Sequence, residues 1–308
     1  MARYIVTRIV YMVITLFIIA SITFFLMKLM PGTPLSAADR LPEAQQQIVL
    51  EQYGLDKPVP LQYVDYMLGL VQGDLGVSFQ FDNRDVSSIL ENRIGPSLQL
   101  GIQSLIIGSI LGAMLGLIAA IFHNGILDFG STLLAVIGTS IPSFIFAGLL
   151  QYYLGVQWQV LPVATWGTFA HTIMPTIALL IFPMAICARF MRTEMLEVLN
   201  KDYIMTARAK GVKWSSVILK HGLRNALIPL ITVLGPLAVS LLTGTLVIEQ
   251  IFAVPGIGEQ FVTAVTTNDY PMIMGTTLFF SFLFVLIILI IDILYGIIDP
   301  RIRLDGGK

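Results

Sequence analysis

The chain has 308 residues, 56% hydrophobic and 12% charged, with a formal net charge of −1 and a mean hydropathy of +0.83. A soluble globular chain does not carry so little charge on so much apolar surface, so the sequence reads as an all-α integral membrane protein. Its single cysteine, Cys187, excludes a disulfide framework and a thiolate metal site.

A bilayer core takes about 20 apolar residues per helix. Six stretches qualify: 9–30, 98–122, 133–154, 173–190, 227–248 and 272–298, of which the fourth is the shortest. None alternates in polarity as a membrane β-strand does. The first follows Arg3 and Arg8, as a signal peptide would. Its apolar run is longer than the usual core of about 7–15 residues, and no small-residue cleavage site follows, so a retained helix is expected.

Residues 31–97 form a polar segment with nine acids and four cations. Two short helices are expected there, one opened by Pro42 and closed by Gly54, the other opened by Pro58 and Pro60 and stopped at Gly73. The segment is either a solvated cap or a docking face for an extracytoplasmic partner.

In the second span Gly108, Gly112 and Gly116 fall at i, i+4 and i+8, which lets a neighbouring helix approach closely on that face. Pro142, Pro183, Pro229 and Pro236 are expected to interrupt other spans, as bends around a pathway would require. Ionisable groups within the spans are scarce. Asp292 is the clear one, and Glu249 falls at an outer helix end. The set is too small for a proton or sodium relay.

No enzyme site emerges. His123, His171 and His221 fall on separate expected loops without HExxH spacing, and there is no GxSxG elbow. "GILDFGST" places Ser131 where a phosphate-binding loop needs lysine, and "PGIGEQF" starts like a dinucleotide fingerprint but ends on Phe261. The sequence supplies no catalytic residue, metal site or cofactor site.

With the N-terminus inside, thirteen of the eighteen Lys and Arg lie on inner segments, so both termini and the fourth-to-fifth connection are expected in the cytoplasm. That connection, residues 192–228, contains "KDYIMTARAKGVKWSSVILKHGLRNALIPL". Glu197 and Lys201 make an i, i+4 pair leading into it. Gly211 separates two helical pieces. The second piece is expected to carry a cationic stripe (Lys213, Lys220, Arg224) and an apolar stripe (Leu219, Leu223, Ala226, Leu227). Nucleic-acid binding is excluded by the shortness of the stripe and its attachment to spans at both ends. Physics leaves two roles open: contact with anionic lipid, or a helix that docks in the groove of a cytoplasmic protein.

This stretch resembles the cytoplasmic "EAA" loop of ABC importer permeases, whose pattern is E-A-A, three residues, Gly, nine residues, I-x-L-P. Aligning Gly211 with the pattern's glycine places Met205, Thr206 and Ala207 on E-A-A, and His221, Leu223 and Arg224 on I, L and P. Ala207, Gly211 and Leu223 match, while "DYIMTARAKG" and "HGLRNALIP" are similar to the oligopeptide and dipeptide permease variant. "YGLDKPVPLQY", "GDLGVSF", "IEQIFAVPGIGEQF", "NDYPMIMG" and "DPRIR" extend the resemblance along nearly the whole chain.

The resemblance implies a six-helix type I importer permease in a bacterial plasma membrane. It implies residues 1–30 as the N-terminus and first helix, 31–97 as an extracytoplasmic segment, and 98–308 as a five-helix core. Asp202, Tyr203, Thr206, Ala207, Arg208, Ala209, Gly211, Trp214, His221, Leu223 and Arg224 would form the ATPase-coupling loop. Implied partners are a second permease, two ATPases that hold ATP and magnesium, an extracellular solute-binding lipoprotein, lipid and a peptide. The nickel and glutathione importers of the same subfamily leave nickel or another small solute open. An ion-coupled transporter using Asp292 would be the competing class.

Overall fold

The computed structural model describes residues 2–30, 47–48, 50–51 and 53–298. The start of the first short helix expected in the polar segment lies outside the described residues. So do the terminal "DPRIR" and the side chain of Asp292. Among the described residues the chain is helical, apart from turns and one isolated antiparallel bridge, Val77 to Asp85.

Five helices are long and apolar enough to cross a membrane: α1 (Ala2–Lys28), α3 (Val86–Ile121), α6 (Phe169–Leu199), the Trp214–Leu241 run and α12 (Tyr270–Ile298). The remaining span is a broken one. α4 (Ile126–Ser140) meets α5 (Ser143–Leu150), which continues as a π-helical turn to Gln157, at an angle of 100°.

The interruption expected at Pro142 is present, and it breaks the third span sharply. Ile141 is extended, at φ −92° and ψ 123°, because the residue before a proline is driven out of the α region. Pro175, Pro183, Pro229 and Pro236 lie inside helices that continue through them, so three of the four expected interruptions do not occur. The fourth span, read as the shortest, is a 31-residue helix, and 56% of its window is buried, against 11% for α1. The helix runs on past Phe190 through Arg192, Glu194 and Glu197, where the apolar run in the sequence stops.

The chain packs as two compact units: the described residues of Met1–Gly95 with Pro255–Leu286, and those of Pro96–Val254 with Ile287–Lys308. In the first, α2 (Val59–Val71) follows Pro58 and ends before Gly73, which has φ +81°. Tyr63 and Tyr66 lie against Phe24 of α1 at 5.4 and 6.0 Å between ring centres, and Tyr63 shares a 2.7 Å hydrogen bond with Ser21. Asp82 and Asn83, both at positive φ, close the turn after α2. α11 (Ile257–Thr266) and the start of α12 complete this unit, and Arg93 donates to Glu259 at 2.6 Å. Asp269 is fully buried and accepts from Ser78 Oγ, from Phe79 N at 3.2 Å and from Met272 N at 3.4 Å, capping α12.

The second unit is built around α6. α3 lays its three glycines along it: a Cβ at Gly108, Gly112 or Gly116 would meet the carbonyl oxygen of Leu180, Met184 or Ala188, respectively. These acceptors are themselves four residues apart, so the two backbones run together over two turns. α4 approaches the same helix at Gly138, where a Cβ would lie 2.9 Å from Ala185 Cβ. Without glycine at these positions, the helices could not share this interface.

Candidate functional site

α6 ends at Leu199, and Lys201 caps a short helix, α7 (Asp202–Ala209). After Gly211 the chain re-enters a helix at α8 (Trp214–Ser216), continues through a π segment (Val217–Leu223) and becomes α9 (Arg224–Gly244). Gly211 has φ +76°, and a Cβ there would meet nothing within 4 Å. It is thus required by backbone conformation and not by crowding. Its N–H donates to Arg208 O at 2.9 Å, and Val212 N donates to Ala207 O at 3.2 Å.

α7 is attached through one buried side chain. Ile204 is 1% exposed and sits in a cluster with Met191, Met195 and Val198 of α6 and with Val217 and Ile218. Its neighbours Asp202, Tyr203, Thr206, Arg208 and Ala209 are exposed, with Ala207 half-buried. Arg208 stacks over Trp214 at 5.0 Å. Asn225 Nδ2 donates to Tyr203 Oη at 3.0 Å, tying α7 to the start of α9. Lys201 Nζ donates to Glu197 at 2.7 Å, and the carboxylate raises the pKa of that exposed ammonium above its ordinary value.

The π segment corrects the expected stripes. Its extra residue per turn rotates the faces, so Val217, Ile218, Gly222 and Ala226 are buried while Leu219 is 58% exposed. The second piece is not a separate surface helix either, because it runs without a break into the Trp214–Leu241 span. His221 and Arg224 are exposed on it, Leu223 is half-buried, and Lys213 and Lys220 are exposed. His221 is thus helical, and His171 lies in the first turn of α6, where it accepts from Thr168 N at 3.2 Å.

A second feature lies on α6, ten residues before α7. Arg192 grips Asp128 of α4 with two hydrogen bonds, Nε to Oδ1 at 2.5 Å and Nη2 to Oδ2 at 2.9 Å. Asn124 N donates to the same carboxylate at 2.9 Å, and His123 Nδ1 lies 3.0 Å from Oδ2. The Asp128 side chain is 6% exposed, so this is a buried bidentate clamp.

With this geometry in place, comparison with known proteins is direct. The family described as binding-protein-dependent transport system inner membrane component matches residues 112–304, and its N-terminal counterpart matches residues 1–98. The chain belongs to this family. The permease is 46% identical over 304 residues to the dipeptide transport system permease protein DppB of Lactococcus lactis, covering 99% of this chain and all of that one. It is 45% identical to the protein of the same name from Bacillus subtilis, with 99% of each chain covered. The glutathione transport system permease protein GsiC of Escherichia coli K12 is 39% identical, with 98% and 99% covered. The crystal structure of an amino acid ABC transporter with histidines aligns with a TM-score of 0.52 at 15% identity, over 70% of this chain and 94% of that one, and supports the fold alone.

Sequence reasoning missed the Asp128 clamp, because its partners are 64 residues apart and no local spacing announces them. Glu249 was placed at an outer helix end, but its burial and its partner were not foreseen. That residue, in α10 (Leu246–Ile251), is fully buried in the permease and accepts from Ser97 Oγ at 2.7 Å. A carboxylate within a strongly apolar "TLVIEQIF" was the available signal.

Proposed function

We propose that this permease is one half of the membrane channel of a peptide-importing ABC transporter, with α7 and Gly211 as the segment that receives motion from an ATPase subunit. The observation that carries the reading is the asymmetry of α7. It offers Tyr203, Met205, Arg208 and nearby Trp214 outward, and it is joined inward through Ile204 to the most buried helix of its unit. A protein groove closing on such a helix would push α6 directly.

The peptide assignment rests on full-length similarity to relatives named as dipeptide permeases. ATP and magnesium belong to the two ATPases, so this chain is non-catalytic and binds no cofactor. A second permease completes the channel, and an extracellular binding protein delivers peptide to residues 31–97 and to the loop around Pro255 and Gly256.

The test is a reconstituted complex of this chain with a second permease, two ATPases and a binding protein. Peptide should stimulate its ATP hydrolysis. Gly211→Glu should insert in the membrane normally yet lose both uptake and stimulated hydrolysis. Normal uptake by that variant, or stimulation by nickel in place of peptide, would overturn the proposal.

A further inference from the structure

The break in the third span opens a pocket of about 370 Å³ within the second unit, between the ends of α4 and α5, the middle of α6 and the distal part of α9. Cavities of this size fall at the small end of those that hold ligands. Its base is closed by Gly138 against Ile181 and Ala185.

With α4 entering the bilayer at Ile126, the break falls inside it. Ser140 is fourteen residues along α4 from Ile126, about 21 Å at 1.5 Å per residue, and a hydrocarbon core is about 30 Å thick. At such depth an exposed polar group facing lipid costs several kcal/mol, so irregular backbone is tolerated only where protein or a water-filled cavity faces it. Two sets of polar groups are left open here. Pro142 has no N–H to give to the carbonyl of Gly138, so that carbonyl loses its usual donor within the helix. Ser140, Ser143 and Ser240 all line the pocket, and their hydroxyls make no hydrogen bond within the described residues. Ser140 and Ser240 are exposed.

These groups are neutral, and each hydroxyl both donates and accepts. No Lys, Arg, Asp or Glu lines the pocket; Phe146, Phe182 and aliphatic side chains supply the rest of its wall. Such a surface matches a peptide main chain, which alternates amide donors and carbonyl acceptors, better than it matches charged side chains or a hydrated cation. It satisfies backbone groups in transit without selecting between residues.

We infer that the kink at Ser140 to Ser143, with Ser240 of α9 opposite, lines the transport route and holds the substrate's main chain as it passes. This inference rests on the reading of the chain as a peptide permease. Recognition at these residues is by neutral hydrogen bonding to the substrate's main chain. Placed on the end of α4, the site would move with α6, because the Asp128–Arg192 clamp ties those two helices together at their far ends.

The test uses the assembled transporter in proteoliposomes. Cys187 is fully buried and so serves as a silent background for single cysteines. Ser140→Cys, Ser143→Cys and Ser240→Cys should react with a small hydrophilic thiosulfonate at least tenfold faster than Leu134→Cys on the outer face of α4. Transported tripeptide together with ATP should slow them. Ser143→Trp and Ser240→Trp should cut peptide uptake at least tenfold while peptide-stimulated ATP hydrolysis persists. Ser143→Ala and Ser240→Ala should lower uptake of neutral, acidic and basic tripeptides by a similar factor.

Slow labelling at all three positions would mean that the second permease covers the pocket, and it would overturn the inference. Fast labelling with normal uptake in both tryptophan variants would mark a water-filled crevice off the route, and it would overturn it equally. If peptide fails to stimulate the unmodified complex, the peptide reading falls on its own, whatever the labelling pattern.

Discussion

α6 and α7 are consecutive in sequence and opposite in how they are held. α6 buries Met174, Cys187, Met191 and Met195, receives two helices against bare backbone at glycines and is clamped by Arg192 to Asp128. α7 is held by Ile204, by the Tyr203–Asn225 hydrogen bond and by a turn at Gly211. A lever needs both kinds of attachment: a shaft that cannot deform and a handle that another protein can grasp. The strength of each attachment ranks the substitutions that would destroy the difference.

The largest effect should come from the shaft. Gly112→Leu puts a branched side chain where even a Cβ would overlap the Met184 carbonyl and Cys187. In a membrane, helix association depends on such close approach, so the variant should fail to assemble as a detergent-stable protein, read by size-exclusion chromatography. Gly148→Leu, at a glycine with nothing within 4 Å, should behave as wild type.

The clamp ranks next. Asp128→Asn removes the charge that Arg192 pairs with, and because Arg192 is 29% exposed the loss should stay below the about 3–5 kcal/mol of a fully buried pair broken on one side. Thermal unfolding in detergent should show a lower midpoint. If the clamp transmits motion, ATP hydrolysis should also become independent of peptide. An unchanged midpoint would mean that α4 is held by its glycine contact alone. Ile204→Ala should cost about 2–4 kcal/mol locally and weaken ATPase binding, while the unfolding midpoint of the whole permease moves little.

How much of this was legible follows the range of each interaction. The glycine face of α3 is a local repeat with period four, and the structure sets that face against α6. The turn at Gly211 is also local. The clamp joins positions 128 and 192, and Glu249 meets Ser97 across 152 residues, so neither pairing leaves a trace in any short window, although the carboxylate of Glu249 itself does. The fourth span was read short for a physical reason: Arg192, Glu194 and Glu197 end an apolar run but do not end the helix, which continues to Leu199. Four prolines looked equivalent. Only Pro142 coincides with a break, where the preceding Ile141 has already left the helical region, whereas continuous helix surrounds Pro183, Pro229 and Pro236. The π segment, too, has no simple sequence period, and its shift put Leu219 on the wrong face.

The smallest effect, on the handle, is also the sharpest test of the contrast. Gly211 has open space around it, so any harm from substitution comes from its φ of +76° or from a surface that another protein must fit. A β-branched side chain in the left-handed region costs about 1–2 kcal/mol, whereas asparagine visits it readily. Gly211→Val should therefore tilt α7 and reduce peptide-stimulated ATP hydrolysis severalfold without changing expression. Gly211→Asn should keep the turn. If it also keeps stimulated hydrolysis, Gly211 acts through backbone shape alone. If it loses stimulation with α7 still helical, the glycine is itself a contact, because even a short polar side chain would hold the partner surface away.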